Sequence, residues 1–211
     1  EYENIIKLFP QEKKLYNTLG DLYQQVKDKK NAIKNYILYA KALEANGFTL
    51  QAIAVYKKIT RIDNEDPEVY SKLADLYHQQ GIIAESISMY MHLANLYQKQ
   101  GLVKRAISIY ERVVDLQPDN LKIIALLADQ YLKEGMKTEA IEKYILFADI
   151  LLKNDEWDKV KNIYNRILEL DPENVRVKKG IGNLYFHVGD FENAEKHFLI
   201  ATKYSAYVLN S

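Results

Sequence analysis

The histidines are the side chains best suited to acid–base catalysis or metal binding near neutral pH. There are four of them: His78, His92, His187 and His197. None forms a His-x3-His pair or lies in a zinc motif with a glutamate, so we expect four exposed polar residues on helices. The serines and threonines have no neighbouring histidine and acid, the glycines form no phosphate-binding loop, and acidic pairs such as Glu139 and Glu142 are predicted to face solvent. The sequence therefore predicts no catalytic residue, no cofactor, no metal and no enzyme.

A second set of polar residues recurs at a fixed interval. Its members are 54 residues apart (75 − 21 = 54): Asp21, Asp75, Asp129 and Asn183. Each directly follows a small residue, and the same interval relates two further series: Ala32, Ser86, Ala140 and Ala194, and Tyr36, Tyr90, Tyr144 and Phe198. Such a period is typical of a solenoid, in which each unit buries its apolar face against its neighbours.

Composition limits the possible partners. The 211 residues are 48% hydrophobic and 27% charged, with a formal net charge of zero, as in an ordinary globular protein. Because no basic face is evident, we expect no nucleic-acid partner. The absence of cysteine excludes disulfides and thiolate metal sites. No apolar run approaches the roughly 20 residues that span a bilayer, so we expect no membrane span, and a cytoplasmic location is favoured.

The elements that position these residues are helices, because apolar residues recur with the 3.6-residue period and no stretch alternates with period two. The predicted helices are 13–26, 31–46, 49–62, 67–80, 83–100, 103–116, 121–134, 137–154, 156–170, 175–188 and 191–208. Gly47 is predicted to be a left-handed cap, and Pro67 is predicted to occupy a first helical turn. The helices form one array over 1–211: a partial helix (1–12), three units (13–66, 67–120 and 121–174) and a partial unit (175–211).

These residues resemble the tetratricopeptide repeat (TPR) family, whose pattern runs over about 34 residues: a large residue, Leu-Gly, Tyr, Ala, an aromatic residue and Pro. The residues that match include Tyr16, Leu19, Gly20, Tyr23, Ala32 and Tyr36, and then Tyr70, Leu73, Ala74, Tyr77, Ser86 and Tyr90. Further copies contain Leu127, Ala128, Tyr131, Ala140 and Tyr144, and Ile181, Gly182, Tyr185, Ala194 and Phe198. The resemblance implies an all-α fold, a right-handed antiparallel helical solenoid of TPR-like repeats.

The chain departs from the family pattern in its spacing. Turn positions fall at 47, 81, 101, 135, 155 and 189, so steps of 34 residues alternate with steps of 20. We interpret this as a variant 54-residue period of three helices, in which one long helix serves two successive motifs. That interpretation requires Tyr36, Tyr90 and Tyr144 to pack in two directions. The alternative is a run of ordinary helix pairs that has lost some helices.

The resemblance also suggests where a partner binds. In the family, the position after the small residue faces a groove, which gives these candidates: Asp21, Gln25, Asp75, His78, Asp129, Lys133, Lys179 and Asn183. A structural role for the acids is the alternative. Of the residues with which some family members hold a C-terminal carboxylate, only Lys179 and Asn183 match, and Ile200 replaces the next polar contact, so that activity is not expected.

The sequence begins without Met inside a repeat, so we expect a fragment of a longer protein. The final helix lacks the third helix that covers its counterparts, and we expect self-association through Tyr204 and Val208, or contact with the rest of the native chain. The function predicted is a noncatalytic scaffold that presents a groove to a peptide or protein. A docking or regulatory arm of a larger enzyme and a self-assembling structural module are the alternatives.

Overall fold

The computed structural model describes residues 12–209, with side chains up to residue 203, and this stretch forms eleven α-helices. Their bounds are α1 Lys14–Gln25, α2 Lys29–Ala45, α3 Thr49–Ile62, α4 Pro67–Gln79, α5 Ile83–Lys99, α6 Val103–Leu116, α7 Leu121–Lys133, α8 Lys137–Lys153, α9 Trp157–Leu170, α10 Val175–His187 and α11 Phe191–Leu209. Every helix predicted between 13 and 208 is present, with ends within two residues of those expected. The partial helix predicted over 1–12 lies outside the described residues, apart from Glu12, which precedes α1.

Several helices begin at a side chain that accepts a hydrogen bond from an N–H group of the first turn. Asp66 accepts from the N–H of Glu68 at 2.9 Å, and Pro67 occupies the first turn of α4, where a missing N–H costs nothing. Asp28 caps α2 by accepting from the N–H of Asn31 at 3.1 Å. The side-chain amide of Asn31, and then its backbone N–H, lower the pKa of the Asp28 carboxyl. This cap explains why α2 begins earlier than its predicted first residue, Asn31.

Several helices end at a residue with left-handed backbone. Glycine fills five such positions, with φ between +72° and +81°: Gly47, Gly81, Gly101, Gly135 and Gly189. In the same 54-residue register, Lys27 and Asp155 take the left-handed conformation with φ of 63° and 59°. The turn at Lys27 is closed in the same way as the glycine turns. The N–H of Asp28 donates to the carbonyl of Tyr23 at 2.9 Å, as the N–H of Phe48 donates to the carbonyl of Leu43 after Gly47. The left-handed cap predicted at Gly47 is confirmed, and two further turns carry an L side chain where glycine fits best.

The chain divides into two compact units between Leu116 and Gln117. In the first unit, α1–α6 pack in chain order, each against the next. The largest fully buried side chains of this unit are Tyr36, Tyr56, Tyr90, Tyr110, Ile59, Leu73 and Leu93. Small residues allow the tyrosines to fit, since a Cβ on Gly20 would lie 2.7 Å from Cε1 of Tyr36. The single array predicted over 1–211 stays a prediction.

In the second unit, α7–α11 likewise pack in chain order. Its largest fully buried side chains are Tyr144, Ile124, Leu127, Leu151 and Ile167. Gly182 approaches an aromatic ring as Gly20 does, because a Cβ there would lie 2.6 Å from Cε1 of Phe198. The small residues of the 54-residue series are thus sites of close helix approach in both units.

The middle helices α2, α5 and α8 have 17 residues each, and each contacts the helix before it and the helix after it. Tyr90 of α5 is fully buried. Its hydroxyl donates to Asp75 of α4, and the guanidinium of Arg112 from α6 lies over its ring, 4.7 Å from the centroid. Tyr90 therefore packs in two directions, as the shared-helix interpretation requires.

Candidate partner-binding site

The regular acids of the sequence each accept a hydrogen bond from a tyrosine on the following helix. The distances are 2.5, 2.5 and 2.6 Å, for Tyr36 to Asp21, Tyr90 to Asp75 and Tyr144 to Asp129. Each acid directly follows a small residue of the 54-residue series, namely Gly20, Ala74 or Ala128. A buried phenol thus reaches a carboxylate at the wet edge of the helix pair.

A cation from the third helix of each group completes the arrangement. It pairs with the same oxygen, Oδ1, at 3.1, 2.8 and 2.7 Å: Lys58 with Asp21, Arg112 with Asp75 and Arg166 with Asp129. The cation also lies over the tyrosine ring, at 5.2, 4.7 and 4.7 Å from the centroid in the same order. We call each set of acid, tyrosine and cation a polar clamp. Each polar clamp joins three consecutive helices.

The tyrosine of each polar clamp is buried, whereas the acid is partly exposed to solvent. Burial, and then the hydrogen bond to Asp75, raise the pKa of Tyr90 well above its usual range, while the charge of Arg112 opposes that shift. The tyrosines of the other two clamps shift in the same direction for the same causes. The acids themselves are partly exposed; the Asp75 side chain, for example, is 33% exposed. A carboxylate accepts about four hydrogen bonds, so the clamp acids retain accepting capacity towards solvent.

The fourth copy of the series forms no polar clamp. Asn183 replaces the acid and Phe198 replaces the tyrosine, so neither the charge nor the hydroxyl is present. Lys179 and Asn183 are both exposed on α10. The pair that resembles a carboxylate-binding motif therefore lies on the helix surface.

The remaining groove candidates are exposed side chains near the C-terminal ends of their helices: Gln25 of α1, His78 of α4 and Lys133 of α7. The neighbouring Gln24, which the sequence did not single out, lies 3.0 Å from the Tyr36 hydroxyl. Each acid is paired with a tyrosine and a cation of its own group.

Two of the four histidines are less exposed than we expected. His92 is half-buried and stacks on Tyr70, with ring centroids 4.0 Å apart. His197 stacks on Tyr185 at 5.4 Å, and burial lowers its pKa. The prediction of four exposed residues was wrong for these two, because an aromatic ring from a neighbouring helix covers each of them.

An exposed apolar surface that the sequence did not identify lies on α10, α11 and the turn between them. Its members are between 40% and 71% exposed: Phe186, Val188, Phe191, Leu199 and Ile200. We call these five residues the α10–α11 patch. The patch borders a shallow groove of about 410 Å³, which Phe198 and Thr202 also line. Tyr204 and Val208, the residues predicted to self-associate, lie further along α11, where the side chains are outside the described residues.

A smaller aromatic slot of about 120 Å³ lies between α9 and α10. Trp157, at the start of α9, stacks on His187 with ring centroids 3.9 Å apart. The ammonium of Lys161 lies 5.9 Å from the centroid of Tyr185 at the same slot. The slot is large enough for a small apolar group and has a charged rim.

Among residues 12–209, no helix combines the length and the apolar character needed to cross a membrane. The histidine, aspartate and glutamate side chains of these residues nowhere form a group of three that could hold a metal ion.

Comparison with protein families identifies three repeats. The TPR repeat family matches residues 49–81, and the tetratricopeptide repeat family matches residues 13–46 and 87–120. The match at 87–120 begins inside α5, so the family pattern pairs the later part of α5 with α6, while Tyr90 of α5 also bonds to α4. A search among curated proteins finds no match.

Several solved structures are similar to this chain. BtubC from P. vanneervenii has 16% identity over 100% of this chain and 93% of its own, with a TM-score of 0.45. MamA has 19% identity, covering 82% and 97%, with a TM-score of 0.28. YrrB, a TPR protein with an unusual peptide-binding site, has 17% identity, covering 86% and 90%, with a TM-score of 0.29.

Proposed function

Since this chain belongs to the tetratricopeptide repeat family, we propose that it is a noncatalytic interaction scaffold that binds a protein or peptide partner. The observation that carries the proposal is the α10–α11 patch, in which four of the five side chains are more than half exposed: Phe186, Val188, Phe191 and Leu199. Clustered apolar side chains at a surface mark interaction sites, because covering them removes apolar area from water. Aromatic residues also dominate the energetics of interfaces.

A predicted groove acid in the same unit as the patch, Asp129, supplies a second, polar contact in this proposal. Asp129 uses Oδ1 for both clamp partners. Its remaining accepting capacity suits N–H donors of a partner segment. Because Asp129 is already paired with Arg166, we propose that it orients the partner, while the apolar patch contributes most of the affinity.

The noncatalytic part of the proposal rests on the surroundings of the titratable groups. His92 and His197 have aromatic rings as neighbours, and the clamp tyrosines are held protonated by burial and by a carboxylate. These surroundings suit side chains that contribute to packing. None of them aligns a nucleophile with a base.

A capture experiment with matched variants tests the proposal. The chain is immobilised and incubated with a lysate of cells that express it, and captured proteins are identified by mass spectrometry. Partners should be lost with Phe191→Ser plus Leu199→Ser. They should be retained with Leu50→Ser, which removes an exposed leucine of α3 far from the patch in sequence.

Equal capture by all three proteins would overturn the role of the patch. Turnover of a substrate by the purified chain, at a rate that follows the protein through purification, would overturn the noncatalytic assignment.

A further inference from the structure

The groove beside the patch runs along a face of α11 whose counterpart is covered in the preceding group. On α8, Tyr144 and Ala148 are 1% and 0% exposed, and α9 packs on this helix. The residues in the same register on α11 are Phe198, which is half-buried, and Thr202, which is exposed. The groove along α11 thus runs over positions that a third helix covers on α8.

This face lacks the polar clamp that joins the third helix to the first two in the other groups. There, Lys58, Arg112 or Arg166 pairs with an acid that also accepts from a tyrosine. Here Asn183 stands in place of the acid and Phe198 in place of the tyrosine, so neither the ion pair nor the phenol–carboxylate hydrogen bond can form. The ring of Phe198 instead offers an apolar contact.

Charges on α11 identify an occupant. Glu195, Leu199 and Lys203 follow each other at intervals of four residues, so they share one stripe of the helix. All three are exposed. The two charges lie about 6 Å along the axis on either side of Leu199.

We propose that this face binds a second copy of the chain, with the two α11 helices antiparallel about Leu199; this deepens the proposed function by naming a partner for the α10–α11 patch. In that arrangement Glu195 of each copy faces Lys203 of the other. The apolar patch of each copy covers that of its partner, as a two-fold contact requires. A parallel pairing would instead place Glu195 against Glu195 and Lys203 against Lys203.

Sedimentation equilibrium on the whole chain tests this arrangement by charge exchange. The unchanged protein should self-associate with increasing concentration. Glu195→Lys alone and Lys203→Glu alone should each weaken self-association by about tenfold, because attraction becomes repulsion at both pairs. An equimolar mixture of the two variants should associate as well as the unchanged protein, since one copy then carries two lysines and the other two glutamates.

The charge exchange also controls for folding, because both side chains are exposed and the mixture contains only the two weakened proteins. A mixture that associates no better than either variant alone would refute the antiparallel pairing. A strictly monomeric chain that still captures other proteins through the patch would refute self-docking and leave the proposed function intact. Self-association without capture of any other protein would support the antiparallel pairing and would identify the second copy as the partner.

Discussion

Removing one hydroxyl from a polar clamp should destabilise the chain measurably. Tyr90→Phe deletes the donor that reaches Asp75 at 2.5 Å and leaves the buried ring in place. A hydrogen bond to a charged group contributes about 1.5 to 3 kcal/mol. Because the Asp75 side chain is 33% exposed, water replaces part of the lost contact, so we expect the lower end, about 1.5 kcal/mol.

The contributions of Arg112 and Asp75 to the free energy of unfolding are expected to be coupled to that of the Tyr90 hydroxyl. Arg112→Ala removes an ion pair whose arginine is 48% exposed and a cation–π contact, which together contribute about 1 kcal/mol. Asp75→Asn combined with Tyr90→Phe recreates the pair found at Asn183 and Phe198. If the polar clamp acts as a unit, the double variant should be more stable than the sum of the single effects predicts, by about 1 kcal/mol.

Urea unfolding followed by circular dichroism measures these free energies, and hydrogen exchange of the α4 and α5 amides shows whether the loss is local. Tyr110→Phe is the matched control. Tyr110 is equally buried, and burial is the single cause that raises its pKa, so its hydroxyl should contribute less than that of Tyr90. A coupling near zero between Asp75→Asn and Tyr90→Phe, or an equal loss in Tyr110→Phe, would refute the polar clamp.

Four further predictions concern the backbone, the packing and pH. Lys27→Gly should raise the free energy of unfolding by about 0.5 to 1 kcal/mol, because Lys27 adopts a left-handed φ of 63°; thermal denaturation that shows no gain would contradict this. Gly101→Val should lose about 1 to 2 kcal/mol in the same assay through backbone strain alone, since a Cβ there meets nothing within 4 Å, whereas Ala94→Leu overpacks a fully buried site and should lose about 1 to 3 kcal/mol. Because the folded-state pKa of Tyr90 is raised, the unfolded chain releases this proton from about pH 10 while the folded chain keeps it. The unfolding free energy should therefore fall as pH rises above about 10, and less steeply in Tyr90→Phe; parallel pH profiles would count against the raised pKa.

The helices were predictable from the sequence because their starts and stops are chemically marked. Asp66 and Pro67 mark the beginning of α4, and glycine marks the ends of five helices. Lys27 shows the limit of that reasoning, since lysine does not favour the left-handed conformation, and position 27 was not among the predicted turn positions. Asp155 was among them because of the period, and aspartate adopts this conformation more readily than most residues other than glycine.

The polar clamp was only half predictable. The sequence drew attention to Asp21, but its cation, Lys58, lies 37 residues later on a different helix. The missed signal is present in the same register, because Lys58, Arg112 and Arg166 follow the period of the acids. The exposure of the α10–α11 patch could not be read from residue types, since phenylalanine and leucine are as common in cores as in interfaces. The covering of His92 and His197 likewise depends on rings brought close by folding.

The changes in the fourth copy form one coherent set. Asn183, Phe198 and Thr202 stand where the preceding copy has Asp129, Tyr144 and Ala148. These three positions lie on the first two helices of a group, where an acid and a hydroxyl hold the third helix and a small residue lies buried beneath it. A single change would weaken the polar clamp. All three together remove the acid and the hydroxyl of the polar clamp and add bulk at the position of Ala148. With the exposed Phe191 and Leu199 beside it, this surface favours contact with another helix, which is the contact that the charge exchange at Glu195 and Lys203 examines.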